Sequence, residues 1–313
     1  MEGRCVGRQK PNLFLIGAMK SGTTYLRKLL NAHPDIFMCE PNEPSYFVDP
    51  QQLKTIWVEM WERGYWRHEN HYLELFGSAN GATILGEAST NYTKYPLASG
   101  VPEKILEFNP NARFIYILRD PIERTLSHYW HMVRYHAECR PVVEALKRDI
   151  QYLAVSHYAM QAAPFLECFG PDRIAILTYE SLVCDPAGVT RGLYEWLGLG
   201  VEEVDMLGST QPEHVTPEVV AAARLGGIPR WLRQSPPFRS ILRHIPQPIE
   251  MALRRVTTQD MHRRGVDVTD AIEFLRPIQL RQTEELTRLL GREFPEWTTL
   301  YGQARRPRRA QEA

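Results

Sequence analysis

The chain has no paired-cysteine motif, no long apolar run and no net charge. Its five cysteines, at 5, 39, 139, 168 and 184, form no C-x-x-C pair and are odd in number. That speaks against a disulfide framework or a zinc knuckle and for a reducing compartment. No stretch approaches the roughly 18 apolar residues of a membrane span. No apolar signal core or Golgi-type anchor precedes the first strand, so a soluble, cytoplasmic protein is expected. Lysine plus arginine and aspartate plus glutamate both number 37, so overall charge gives no sign of a nucleic-acid partner. His128, His131 and His136 share one predicted helix, and His68 and His71 lie three apart. Neither group completes a third ligand or an H-E-x-x-H pattern, so no metal is expected and surface or core positions are the reading for all five. Internal repeats and long low-complexity tracts are missing too.

Against these absences stands Gly17-Ala18-Met19-Lys20-Ser21-Gly22-Thr23-Thr24. It follows the apolar run Leu13 to Ile16 and opens onto Tyr25-Leu26-Arg27-Lys28-Leu29-Leu30. That order reads as strand, glycine loop, helix. Such a loop aims backbone N–H groups and the positive end of a helix dipole at one anion. Lys20 and the hydroxyls of Ser21, Thr23 and Thr24 add charge and donors. The nucleotide-triphosphatase loop is G-x-x-x-x-G-K-[ST]. Here the glycine spacing holds, but Thr23 stands where that lysine would be and the lysine is three places earlier. A lysine there suits a short 5′-linked phosphate bearing a leaving group better than a metal-bound triphosphate. A ligand-free glycine turn would not need these side chains.

Strands are expected at 12–17, 36–38, 83–87, 112–118 and 173–178. Helices are expected at 22–32, 50–76, 102–108, 121–136, 141–153, 156–169 and 187–197. Alternating strands and helices imply an α/β fold with a P-loop-type, mostly parallel central sheet flanked by helices. After residue 200 strand signals fade and the chain reads as a helical C-terminal extension, ending in an amphipathic helix from about 268 to 290 and a stop at Gly291. One domain over 1–313 is expected, with a nucleotide-binding core at 11–200, a helical lid region at 201–301 and a basic tail at 302–313. Between Arg224 and Arg264 nine arginines face two acids, Glu250 and Asp260, and five prolines cut the segment into short pieces.

A second anion site follows the fourth strand. Arg119 sits at its C-terminal end, and Ser127 two turns into the next helix. A planar guanidinium and a hydroxyl make a phosphate clamp. A salt bridge from Arg119 to Asp120 or Glu123 is the competing reading. Taken together, the two sites resemble the sulfotransferases that use 3′-phosphoadenosine 5′-phosphosulfate (PAPS), in the branch with heparan-sulfate sulfotransferases and their bacterial relatives. The resemblance runs from about residue 11 to 301 and includes Phe294-Pro295-Glu296-Trp297. It implies that Lys20 to Thr24 grip the 5′-phosphosulfate and that Arg119 and Ser127 grip the 3′-phosphate, leaving 3′,5′-adenosine bisphosphate (PAP) as product.

The resemblance also implies a catalytic glutamate. Asn42-Glu43-Pro44-Ser45-Tyr46-Phe47 matches the family's pattern from the glutamate onward, which makes Glu43 the general base and Glu40 the fallback. Asn42 and Ala88 stand where relatives often carry lysines. Lys20 is the group that stabilises the departing phosphate without a metal. Ser89 and Tyr92 are candidates to line the acceptor pocket or simply to pack. Trp57 and Trp61 read as core. Arg263, Arg264 and Gly265 resemble the family's loop over the donor, although an anionic-acceptor surface or a solvated basic face fits that segment too. The implied reaction is sulfuryl transfer to the hydroxyl of a small molecule, lipid or carbohydrate. An ATP-dependent P-loop kinase, with Asp120 as its metal ligand, and a non-catalytic nucleotide- or membrane-surface module are the alternatives.

Overall fold

The computed structural model describes residues 9–136, 138–200, 217–223 and 258–302. Cys5, most of the arginine-rich segment and the basic tail lie outside the described residues. Five parallel strands, β1 (Leu13–Gly17), β2 (Ile36–Met38), β3 (Ile84–Ala88), β4 (Arg113–Leu118) and β5 (Ile174–Thr178), form one sheet in the order β2-β3-β1-β4-β5. β1 is central, pairing with β3 through Leu13↔Gly86 and Phe14↔Glu87 and with β4 through Phe14↔Phe114. Both faces are covered, so its strands are apolar throughout rather than alternating. Side chains still divide by parity. Leu13, Leu15, Ile115 and Ile117 face one layer, and Phe14, Ile16, Phe114, Tyr116 and Leu118 face the other.

The first layer is α1 (Thr23–Leu30), with the later helices α10 (Tyr179–Cys184) and α11 (Pro186–Leu197). α1 buries Tyr25, Leu26, Leu29 and Leu30. The opposite layer is larger. It holds α5 (Val101–Phe108), α6 (Pro121–His136), α9 (Tyr158–Phe169) and α12 (Thr269–Leu290). In α12 the buried residues Ala271, Leu275, Gln279 and Thr283 recur every four positions, and the helix ends at Gly291 with φ 63°. Beyond it Phe294, Trp297 and Leu300 are fully buried, so the chain's last described segment is part of the core.

Three sequence expectations need correction. The stretch 50–76 is not one helix but α2 (Pro50–Ile56), α3 (Val58–Arg63), α4 (Glu69–Leu73) and two short 3₁₀ turns. It breaks at Trp57, which is non-helical, and at Gly64, which is left-handed with φ 74°. The stretch 141–153 divides into α7 (Val142–Arg148) and α8 (Gln151–Ala154), because Asp149 turns to extended backbone. And the region after 200 is not purely helical: β6 (Val219–Ala223) and β7 (Thr258–His262) pair antiparallel. An alanine run favours helix locally, but pairing with a distant strand overrides that propensity.

Candidate active site

The strand order brings the functional residues to one edge. β1 and β4 lie side by side, yet their onward connections run to opposite sides of the sheet. The crevice between them is therefore a topological switch point, where open α/β sheets bind ligands. The glycine loop leaves β1, Arg119 follows β4, and the Glu43 loop rests on the end of β3 through Glu43 N–H donating to Ala88 O at 2.9 Å. The three stand in a row on neighbouring strands about 4.8 Å apart.

The loop is shaped by two glycines. A Cβ at Gly17 (φ 140°) would lie 2.4 Å from Thr93 Oγ1, and one at Gly22 (φ 90°) 2.8 Å from the Tyr179 ring. Only glycine permits these close approaches in left-handed backbone. Lys20 itself is left-handed, with φ 70°. Ser21 is fully buried and its hydroxyl has no partner, a donor waiting inside the cradle. Thr23 and Thr24 start α1, half-buried, with Gly22 as the N-cap residue.

Arg119 meets this loop directly. Its Nη1 donates to Lys20 O at 3.1 Å, and its guanidinium stacks over Tyr179 at 4.9 Å. It also faces Glu123 at 3.6 Å, which is the salt bridge of the competing reading. Arg263 stacks over Trp130 at 5.7 Å. Burial, and then repulsion from Arg119, Arg134, Arg263 and Arg124, pushes the Lys20 amine down to about 8. Burial and Arg119 likewise lower Arg263. Cations that depress one another in a partly buried crevice form a seat for a multiply charged anion. Ser127 is buried on α6 at helical spacing from Arg119's end of that helix. Arg264 is exposed and turns to Glu218 at 3.4 Å, and Gly265 is exposed, so of the 263–265 group it is Arg263 that converges on the site.

The carboxylate side is built from side-chain contacts. Glu43 is half-buried and left-handed, with φ 59°. Thr90 Oγ1 donates to its Oε1 at 2.7 Å, while Oε2 is buried without a partner. Arg63 Nη1 donates to Asn42 O at 2.5 Å and to Glu43 O at 3.2 Å. Ser89 and Tyr92 are buried beneath the loop. Ser89 Oγ accepts from Ser45 N–H at 3.0 Å and Tyr92 Oη accepts from Phe47 N–H at 3.5 Å, so their burial favours the packing role. Glu40, the fallback base, is exposed and paired with Arg27 at 2.7 Å. Trp57 and Trp61 are partly buried and pack against the hydrophobic core. Trp61 also stacks with Trp66 at 6.0 Å.

Asp120 caps α6: its Oδ1 accepts from Ile122 N–H at 3.0 Å and its Oδ2 from Leu300 N–H at 3.0 Å. A carboxylate so occupied by backbone donors is a helix cap, not a metal ligand. Among the described residues no group of three His, Cys, Asp or Glu could hold a metal, and Cys39, Cys139, Cys168 and Cys184 are free thiols. No described helix is long and apolar enough to cross a membrane.

Two contributors escaped the sequence reading. His131 is half-buried, and burial with repulsion from Lys20, His136 and Lys94 pushes it down to about 3; it is a neutral imidazole at the site's edge. Lys94, just past β3, is buried beside Glu43. His131 could have been found from its place one turn after Ser127. For Lys94 no local signal exists.

A sequence profile described as the sulfotransferase family matches residues 11–203. A membrane-associated sulfotransferase, kil1, of Dictyostelium discoideum is 32% identical over 125 residues, 40% of this chain and 24% of that one. The heparan sulfate glucosamine 3-O-sulfotransferase 3B1 of Mus musculus is 26% identical over 203 residues, 61% of this chain and 47% of that one. The omega-hydroxy-beta-dihydromenaquinone-9 sulfotransferase Stf3 of Mycobacterium tuberculosis (strain CDC 1551 / Oshkosh) is 28% identical over 173 residues, 53% and 42% of the two chains. The alignments thus cover less than half of each of these curated relatives. A sulfotransferase structure from Alicyclobacillus acidocaldarius shares the fold, with a TM-score of 0.64, 23% identity and coverage of 92% of this chain and 99% of that one.

Proposed function

Since the chain belongs to the sulfotransferase family, we propose that it moves a sulfuryl group from PAPS to an acceptor hydroxyl, with Glu43 as general base. The observation that carries this reading is the hydrogen bond from Arg119 to Lys20 O, 3.1 Å, which joins the two anion clamps into one site. The residues present fit the donor. Lys20 to Thr24 would hold its 5′-phosphosulfate, with the unpartnered Ser21 hydroxyl facing an acceptor atom at last. Arg119 and Ser127, with Arg263 beside them, would hold the 3′-phosphate. A donor with a single phosphate would leave one of these clamps empty.

PAPS supplies an activated sulfuryl group on a good leaving phosphate. The chain does the rest. Glu43 Oε2, buried and unpartnered, takes the acceptor's proton as the new S–O bond forms. Thr90 fixes the other carboxylate oxygen, so the free one has a set direction. The Lys20 ammonium and the loop N–H groups neutralise charge on the bridging oxygen as the old S–O bond breaks and PAP departs. The partly exposed faces of Trp57, Trp61 and Trp66 offer an acceptor an apolar wall. By their names the 3-O-sulfotransferase and Stf3 act on hydroxyl compounds, a glucosamine and an omega-hydroxy-dihydromenaquinone, whereas other relatives are heparan sulfate N-sulfotransferases. With a carboxylate base at hand, this chain's acceptor is read as a hydroxyl-bearing small molecule, lipid or carbohydrate.

Calorimetric titration tests the donor. PAP should bind far more tightly than AMP, and Arg119→Ala should weaken PAP by about 1.5–3 kcal/mol, the worth of a hydrogen bond to a charged group, while leaving AMP nearly unchanged. Equal affinities for PAP and AMP would overturn the two-clamp reading. Incubation with labelled PAPS and a panel of alcohols and phenols, read by mass spectrometry for gain of one SO₃, tests transfer.

A further inference from the structure

A lysine is buried where neither phosphate clamp needs it. Lys94 follows the turn after β3, and its side chain is almost entirely enclosed. Its Nζ donates to Asn91 Oδ1 at 2.6 Å and stands over the Trp57 ring at 5.2 Å. Asn91 Nδ2 donates to Ser45 Oγ at 3.1 Å, and Ser45 Oγ reaches Glu43 O at 3.5 Å. The chain therefore runs Lys94, Asn91, Ser45, Glu43. It ends on two residues that are both left-handed without being glycine, Glu43 at φ 59° and Ser45 at φ 54°. Such backbone is costly and persists only where surroundings over-determine it.

The geometry points to Lys94 as a positioning residue for Glu43: through Asn91 and Ser45 its ammonium holds the base loop in its strained form, and it sets a positive charge facing the carboxylate. This rests on the reading of Glu43 as general base. The charged and titratable groups around Lys94 come from three elements. Glu43, on its own loop, favours the ammonium. Arg124 on α6 opposes it. His128 and His131, also on α6, are pushed low by burial and by their cationic neighbours and stay neutral. Glu87, next to Glu43, is held protonated by burial. Burial brings Lys94 down from 10.5 to about 8, so it is charged at neutral pH at a cost to the fold. The sign is clear: between about 8 and 10.5 the unfolded chain binds more protons, so Lys94 lowers stability below that window. A lysine kept at such a cost is explained by what it does for Glu43 rather than by packing.

The test compares wild type with Lys94→Met and Ser45→Ala, measuring PAP affinity, thermal midpoint and label transfer from PAPS at saturating donor. Lys94→Met should bind PAP within twofold of wild type and melt at the same or a higher temperature, since a buried charge is gone. Its turnover should fall at least tenfold. The alkaline limb near pH 8 that Lys94 gives the wild-type turnover should vanish. Bound donor holds Lys20 protonated, so that limb belongs to Lys94. Ser45→Ala, which removes one hydroxyl, should also lower turnover without weakening PAP. Turnover within twofold of wild type in either folded variant overturns the inference and leaves the proposed reaction standing. A wild type that binds PAP yet transfers nothing from PAPS overturns the reaction itself, and the inference with it.

Discussion

Around Lys20 the chain gathers Arg119, Arg134 and Arg263, and holds them with a glycine loop, a stacked tyrosine and the ends of two parallel strands. Around Glu43 it gathers Thr90, Ser45, Asn91, Lys94 and Arg63, and holds them with side-chain hydrogen bonds. The proposed donor side is backbone-built and crowded with like charge, which favours an anion there. The carboxylate side is already knitted together by these bonds, while Glu43 Oε2 and Asn42 Oδ1 stay buried without a partner. Binding and chemistry are therefore separable properties of this site, set by different contacts. Variants on the two sides should fail in different assays.

The largest break in that comparison is Glu43→Gln. The amide keeps the shape of the side chain and its contact with Thr90 but cannot take a proton. Transfer should fall by about 10²–10⁴-fold, the usual worth of a general base, with PAP affinity unchanged. A variant that transfers at wild-type rate would remove Glu43 from the chemistry, and a variant that loses PAP would erase the division between the sides.

A smaller effect is expected from pH on the donor side. In the free protein Lys20 gives up its proton near 8. A bound bisphosphate favours the ammonium, so above that value binding must first take up a proton. PAP affinity should be level from pH 6 to 7.5 and then decline, approaching about tenfold per pH unit. The arginines stay charged throughout and cannot produce this limb. An affinity that is flat to pH 9.5 would show that Lys20 contributes no charge to binding.

The difference between the sides also decides what could be read from the sequence. The glycine loop, β1, α1, Arg119 and α6 were legible because each is local: glycine spacing, an apolar run and an arginine at a strand end lie within a dozen residues. The five parallel strands were legible for the same reason. The pairing of Arg119 with Lys20 followed from the strand order that such a chain adopts. Lys94 was not legible, because it meets Glu43 across 51 positions of sequence through a turn that has no motif. Trp57 and Trp61 were legible in part for a related reason. Four-residue spacing implies one helix face, and both rings do pack on the core, but a break at Trp57 divides that helix and leaves each ring only partly buried. The β6–β7 pair was hidden by alanines whose partner strand lies beyond residue 257.

The smallest expected effect sharpens the comparison from below. Glu87 lies on β3 in register with Phe14 and is fully buried. Burial pushes it up from 4.5 to about 8; the Tyr72 and Tyr92 hydroxyls face it and pull the other way, too weakly to win, and the Glu43 charge adds to the rise. Between those two values the native protein keeps a proton that the unfolded chain has released. Stability from this group is therefore full below about pH 4.5 and is lost as pH rises through about 8. Glutamine mimics the neutral acid and removes the dependence. Glu87→Gln and wild type should melt together at pH 5 and part at pH 9, with the variant higher by at least about 2–4 °C, the shift that 1 kcal/mol produces in a protein of this size class. Matching midpoints at both values would mean that Glu87 ionises without cost, and that the floor under Glu43 is polar rather than dry. In that case the carboxylate side would share the charge-crowded character of the donor side, and the contrast between them would narrow to the glycine loop alone.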